Sequence, residues 1–202
     1  MRRPTVSDRP DSPASIRVVN VPNAITAVRT VVSMALAVWA VTEASVAVAV
    51  AAYACYWAGD ILDGLAARLL RQETRAGAVF DIVADRACCS LCASALLVLR
   101  PAAALPVAIF LIQFMVLDCL LSLAFLRWPI LGPNDFGVVH RQVYRWNWSP
   151  PAKAINTGGL VVLVFMVPSP IWPTAFALAV VLVKTLSLRT VSRLGGGTIR
   201  SS

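Results

Sequence analysis

Acidic residues are scarce in this chain, ten in 202 positions, yet five of them, four being aspartates, crowd between Asp60 and Asp85. Read as helices, Asp60 and Asp63 stand at i and i+3, and Asp81 and Asp85 at i and i+4, so each pair shares one helical face. A polar turn near Gln72 to Ala76 makes the two helices antiparallel and can gather all four carboxylates at one end of the hairpin. Like charges held together beside hydrocarbon repel one another and are costly to bury, so cations must compensate them. Arg68 and Arg86 offer single positive charges, whereas one hard divalent ion can bridge several carboxylates. Mg²⁺ in particular binds substrate phosphates along with carboxylates, which points towards pyrophosphate chemistry. Gly64, directly after an acid, together with Ala67 and Gly77 leaves space for a flat or bulky ligand against the backbone. Without the acids, the same small residues would read simply as close helix packing in a membrane.

The elements that must position these residues follow from composition. The chain is 58% hydrophobic and 14% charged, against about 45–50% and about 25% in ordinary soluble domains. A soluble fold of this size cannot bury that much apolar surface, so lipid must cover part of it. The expected fold is all-α, a polytopic membrane protein built as a bundle of six transmembrane helices. The apolar segments run from about Ala24 to Val41, Ser45 to Leu70, Gly77 to Leu99, Ala103 to Leu126, Ala154 to Val167 and Ile171 to Leu188. The fifth is short, bracketed by Pro150, Pro151 and Pro168. Residues 1–18 read as a polar tail, 19–190 as one membrane domain and 191–202 as a flexible C-terminal tail.

The formal net charge of +8 does not indicate nucleic-acid binding, because no basic arm with interleaved aromatics is present. Its distribution is topogenic. Arg2, Arg3, Arg9 and Arg17 precede the first segment; Arg68, Arg71 and Arg75 join the second to the third; Arg127, Arg141, Arg145 and Lys153 join the fourth to the fifth; Arg189, Arg193 and Arg200 follow the sixth. The intervening connections hold little charge, so both termini and the acid cluster are expected on the cytoplasmic side of the cell membrane. Cys88, Cys89 and Cys92 lie in an apolar helix without a second cluster and read as small buried hydrophobes. His140 reads as a loop residue. Asp118, an acid inside the fourth segment, has no assigned role.

The pattern Asp60-x2-Asp63-Gly64-x2-Ala67-Arg68-x8-Gly77-x3-Asp81-x3-Asp85 resembles the signature of the CDP-alcohol phosphatidyltransferase family, with every defining position filled. Upstream, Asn20-Val-Pro22-Asn23-Ala-Ile-Thr26-Ala-Val-Arg29 is similar to the segment opening the first helix of the phosphatidylglycerophosphate and cardiolipin synthases of that family. The resemblance implies that Asp60, Asp63 and Asp81 hold Mg²⁺ or Mn²⁺, two ions, and that Asp85 is partly a ligand and chiefly the general base. It implies that Gly64, Ala67 and Gly77 make room for the cytidine end of the donor and that Arg68 contacts phosphate. The donor is then CDP-diacylglycerol, and the acceptor an alcohol or phospho-alcohol, with CMP released by direct displacement at phosphorus.

The best acceptor guess is glycerol 3-phosphate, with phosphatidylglycerol (a cardiolipin synthase) and inositol phosphate as alternatives. A cation transporter is the alternative of a different class. By the same resemblance Lys153, at the opening of the fifth helix, leads the acceptor-binding candidates, followed by Arg141, Arg145 and Arg29. Trp146 and Trp148 are expected at the headgroup interface beside them. The first helix lacks the proline that often follows its Arg in such synthases, and the Lys153-to-Thr157 spacing is longer by one residue. A homodimer is expected by resemblance alone.

Overall fold

A computed structural model describes residues 19–195, so the expectations for the two polar tails fall largely outside the described residues. Every regular element among these residues is helical. The chain divides into two compact units, one ending at Ala104 and the other beginning at Leu105.

The first unit is three long helices, α1 (Val21–Thr42), α2 (Val46–Leu69) and α3 (Arg75–Leu99). Each starts at a residue whose side chain accepts a backbone N–H that the helix itself leaves unpaired. Asn20 caps the N–H of Asn23 at 2.9 Å, Ser45 that of Val48 at 3.4 Å, and Thr74 that of Gly77 at 2.9 Å. The α1–α2 and α2–α3 turns are made without glycine. Ala44 (φ 49°) and Arg71 (φ 55°) take the left-handed conformation, at roughly 1–2 kcal/mol each. That conformation lets Ser45 N–H reach the Ala40 carbonyl and Gln72 N–H reach the Ala67 carbonyl, both at 2.9 Å, which closes the helix ends.

Small residues let α1 and α2 approach closely. Ala37, Ala40 and Ala52 are fully buried, and the Ser33 hydroxyl donates across to the Ala52 carbonyl at 3.0 Å. A Cβ at Gly59 would lie 2.5 Å from Arg29 Cβ, so glycine is required where these helices cross.

The second unit begins within α4, the helical run Pro101–Arg127, which includes a π-helical turn from Gln113 to Asp118. The connection that follows is ordered by an aromatic cluster, with Phe136 packed edge-on to Trp128 (centroids 5.3 Å apart) and tilted against Trp148 (4.9 Å). Trp148 is therefore buried, not a headgroup anchor as the sequence suggested, whereas Trp146 is exposed. Then come α5 (Arg141–Asn147), α6 (Pro150–Met166) and α7 (Ile171–Arg193). His140 caps α5, its Nδ1 accepting the Val143 N–H at 3.2 Å.

Five of the helices (α1, α2, α3, α4 and α7) are long and apolar enough to cross a membrane. The chain is thus a multi-pass membrane protein. The expected fifth span is α6, which is apolar but shorter than the others. At about 1.5 Å per residue it falls a little short of the roughly 30 Å hydrocarbon core. The proline pair that opens it and Pro168 just beyond it set that length.

Asp118 finds its explanation here. Lys184 Nζ on α7 lies 2.5 Å from Asp118 Oδ1, both residues are buried, and the Ser122 hydroxyl adds a long contact of 3.5 Å to Oδ2. Arg127 also ties α4 to the C-terminal end of α7, donating to the Val191 and Leu194 carbonyls at 3.2 and 2.8 Å. Breaking a buried ion pair from one side strands a charge, at about 3–5 kcal/mol. Lys184→Met is expected to lower the thermal midpoint of the protein in lipid nanodiscs sharply, and Asp118→Leu added to it to recover most of the loss. Equal midpoints for the single and double variants would show that the two charges do not depend on each other.

Candidate active site

The acid cluster is assembled entirely within the first unit. Asp60 and Asp63 project from α2 and Asp81 and Asp85 from α3, as their helical spacing requires, and α1 lies against both. The N-terminal end of α1 is pinned to the α2–α3 turn: the Val21 N–H donates to Gln72 Oε1 at 3.2 Å, and the Asn20 amide to the Gln72 carbonyl at 3.5 Å.

From α1, Thr26 and Arg29 reach into the cluster. The Thr26 hydroxyl donates to Asp63 Oδ2 at 2.7 Å, and Arg29 Nε donates to the same oxygen at 2.8 Å. Arg29 Nη2 donates to Asp81 Oδ1 at 2.6 Å and to Asp85 Oδ1 at 3.0 Å, and stands 3.8 Å from Asp60 Oδ1. All four carboxylates therefore converge on one guanidinium. Asp63 forms the closed floor, with 5% of its side chain exposed, while Asp81, at 37%, marks the open rim.

One oxygen from each of Asp60, Asp63 and Asp81 lies within 4.8 Å of the others. Hard, anionic, all-oxygen donors in this number suit Mg²⁺ or Mn²⁺ and not a soft metal. Several carboxylates facing one another carry charge that monovalent side chains cannot bridge, so the residues present fit a divalent ion. Asp85 stands outside that trio, beside it.

Small residues flank the acids. Arg68 folds back over Gly64, its Nη1 3.4 Å from where a Cβ would be, so two residues expected at the donor nucleotide are neighbours. Ala67 is half-buried one turn beyond Asp63. A Cβ on Gly77 would come within 2.9 Å of Thr74 Oγ1 and 3.0 Å of Asn23 Oδ1, so this glycine keeps the opening of α3 close to α1.

Arg29, expected among the acceptor ligands, instead lies inside the carboxylate cluster. The other acceptor candidates belong to the second unit. Arg141 and Arg145, one turn apart on α5, line a cavity of about 480 Å³ with Gln142 and Trp146, while Val143 and Asn147 on the opposite face are buried. Lys153 lies half-buried in the first turn of α6.

The direct contact of Thr26 with an acid is a site feature that the acid spacing does not disclose. Its signal was the three-residue rhythm Asn20, Asn23, Thr26, Arg29, which places one polar stripe along an otherwise apolar helix.

Comparison with known proteins gives one match. The family described as CDP-alcohol phosphatidyltransferase matches residues 19–188, which span both units and every acid of the cluster. No curated protein and no solved structure matches the chain.

Proposed function

The chain belongs to the CDP-alcohol phosphatidyltransferase family, and from that premise we propose that it moves the phosphatidyl group of CDP-diacylglycerol onto glycerol 3-phosphate, releasing CMP. The observation that carries this reading is the convergence of Asp60, Asp63 and Asp81 on one point with Asp85 alongside. Asp60, Asp63 and Asp81 would hold Mg²⁺ or Mn²⁺, two ions when the donor is bound. Such ions supply charge neutralisation to the pyrophosphate and to the departing CMP.

The protein's own residues do the rest. Asp85 accepts the proton of the acceptor hydroxyl as its oxygen attacks phosphorus. The bond from phosphorus to the CMP oxygen breaks, and CMP leaves with that electron pair. Gly64 and Ala67 give the cytidine end access to backbone, while Gly77, expected beside them, serves instead the close approach of α3 to α1; Arg68 holds a donor phosphate by a charge-assisted hydrogen bond. No side-chain nucleophile is needed, so phosphorus is displaced once. Lys153, Arg141 and Arg145 are cations suited to the phosphate of the acceptor. The positive charge of the connections favours the site and both termini on the cytoplasmic side of the cell membrane, and a homodimer is proposed on family resemblance alone.

Purified protein in nanodiscs, supplied with CDP-diacylglycerol, Mg²⁺ and a panel of acceptors, tests the proposal through CMP release. Release is expected with glycerol 3-phosphate. Release with phosphatidylglycerol alone would make the enzyme a cardiolipin synthase, release with inositol phosphate alone an inositol-phosphate transferase, and silence with every acceptor would reject the reading.

A further inference from the structure

We infer that Arg29 is a built-in counter-ion: its guanidinium engages the same carboxylates that are proposed to ligate the metal and competes with a divalent ion for them. The inference rests on the proposal that these acids are metal ligands, and adds a competitor supplied by the chain itself.

Two observations support it. The first is position. Nη2 contacts Asp81 and Asp85 and stands 3.8 Å from Asp60, while Nε contacts Asp63. The guanidinium thus engages the same three residues whose oxygens lie within 4.8 Å of one another. A carboxylate oxygen can serve two cations, but two cations a few ångströms apart in a buried site repel strongly.

The second is that the seat is prepared. Arg29 is 3% exposed; the absence of a side chain at Gly59 admits its aliphatic stem, and the face of Tyr56 lies 5.6 Å from its charged carbon, a cation–π distance. The charge of Arg29 offsets part of the repulsion among the acids. Metal affinity is then lower than four bare acids would give.

Mn²⁺ titration of the full-length protein in nanodiscs, stripped with EDTA and free of substrate, tests this by electron paramagnetic resonance. Arg29→Gln, similar in bulk but uncharged, is expected to bind Mn²⁺ about tenfold more tightly than the native protein, a difference of about 1.4 kcal/mol. Arg29→Lys keeps the charge but cannot span Asp63 and Asp81 together, and is expected to tighten binding by a smaller factor. In EDTA the Gln variant should melt lower than the native protein, and saturating Mn²⁺ should raise its midpoint by more.

Unchanged or weaker Mn²⁺ binding in a folded Gln variant would overturn the inference and make Arg29 a residue that positions the ligands. If the Gln variant does not fold, the same titration of the Lys variant decides, with unchanged or weaker binding again overturning it. Absence of Mn²⁺ binding in the native protein and both variants would overturn the metal-site proposal and this inference with it. Equal affinities across all three would overturn this inference alone.

Discussion

Asp85→Asn is expected to lower CMP release by about a thousandfold, within the range of 10²–10⁴ that a positioned general base contributes, while leaving Mn²⁺ binding nearly intact. The two halves of this expectation come from two features of the site. Asp85 lies one turn beyond Asp81 on α3 and shares Arg29 Nη2 with it, beside the proposed metal ligands. It is nevertheless outside the trio of convergent oxygens, so an amide there leaves those three ligands in place. The substitution keeps size and one hydrogen-bonding oxygen but removes the capacity to take a proton. The check is steady-state CMP release at saturating donor and metal, beside a Mn²⁺ titration of the same sample. Activity within a few-fold of native would remove Asp85 from the base role; loss of metal binding in parallel with activity would make it a ligand first.

Asp81→Asn should give the complementary pattern. Asp81 belongs to the trio and is its most exposed member, the one best placed to share an ion with an incoming pyrophosphate. Replacing an anionic hard ligand by a neutral amide weakens both the charge and the donor strength of the site. Mn²⁺ affinity is expected to fall by at least about tenfold and CMP release at moderate Mg²⁺ to become undetectable, with partial recovery as the ion concentration is raised. A variant that loses turnover but binds Mn²⁺ as the native protein does would place Asp81 in substrate positioning and not in metal binding. Together the two variants would separate the ion from the proton, Asp81→Asn acting on the first and Asp85→Asn on the second.

Much of this architecture was legible in the amino-acid sequence because helices convert spacing into direction. Asp60 with Asp63, and Asp81 with Asp85, had to share faces once their segments were helical, and the polar turn between them had to fold the segments back. The helical class followed from apolar length, six expected spans becoming five that are long enough and one shorter, and the brevity of α6 from the prolines around it. What stayed hidden depends on contacts distant in sequence.

Nothing local to Asp118 announces Lys184, and the ion pair between them exists only because α4 and α7 pack. Arg29 read as a residue facing the acceptor, because its helical register shows that it points towards the site but not how deep it goes. Depth is set by Gly59, thirty positions away, whose missing side chain lets the arginine stem lie against α2. Trp148 read as an interfacial anchor because composition cannot tell a tryptophan at the headgroups from one buried beneath Phe136. The left-handed turns at Ala44 and Arg71 were equally silent, since neither residue type signals that conformation.

The central claim is that Asp60, Asp63 and Asp81 hold a divalent ion, with Asp85 beside it as the base. It is tested most directly by an anomalous difference map at the manganese edge, from crystals of the full-length protein grown with Mn²⁺ and CDP-diacylglycerol. The expected result is density in contact with Asp60, Asp63 and Asp81, touching the donor pyrophosphate, with Asp85 facing the phosphorus that is attacked. Donor bound in the site with no manganese between it and these side chains would contradict it.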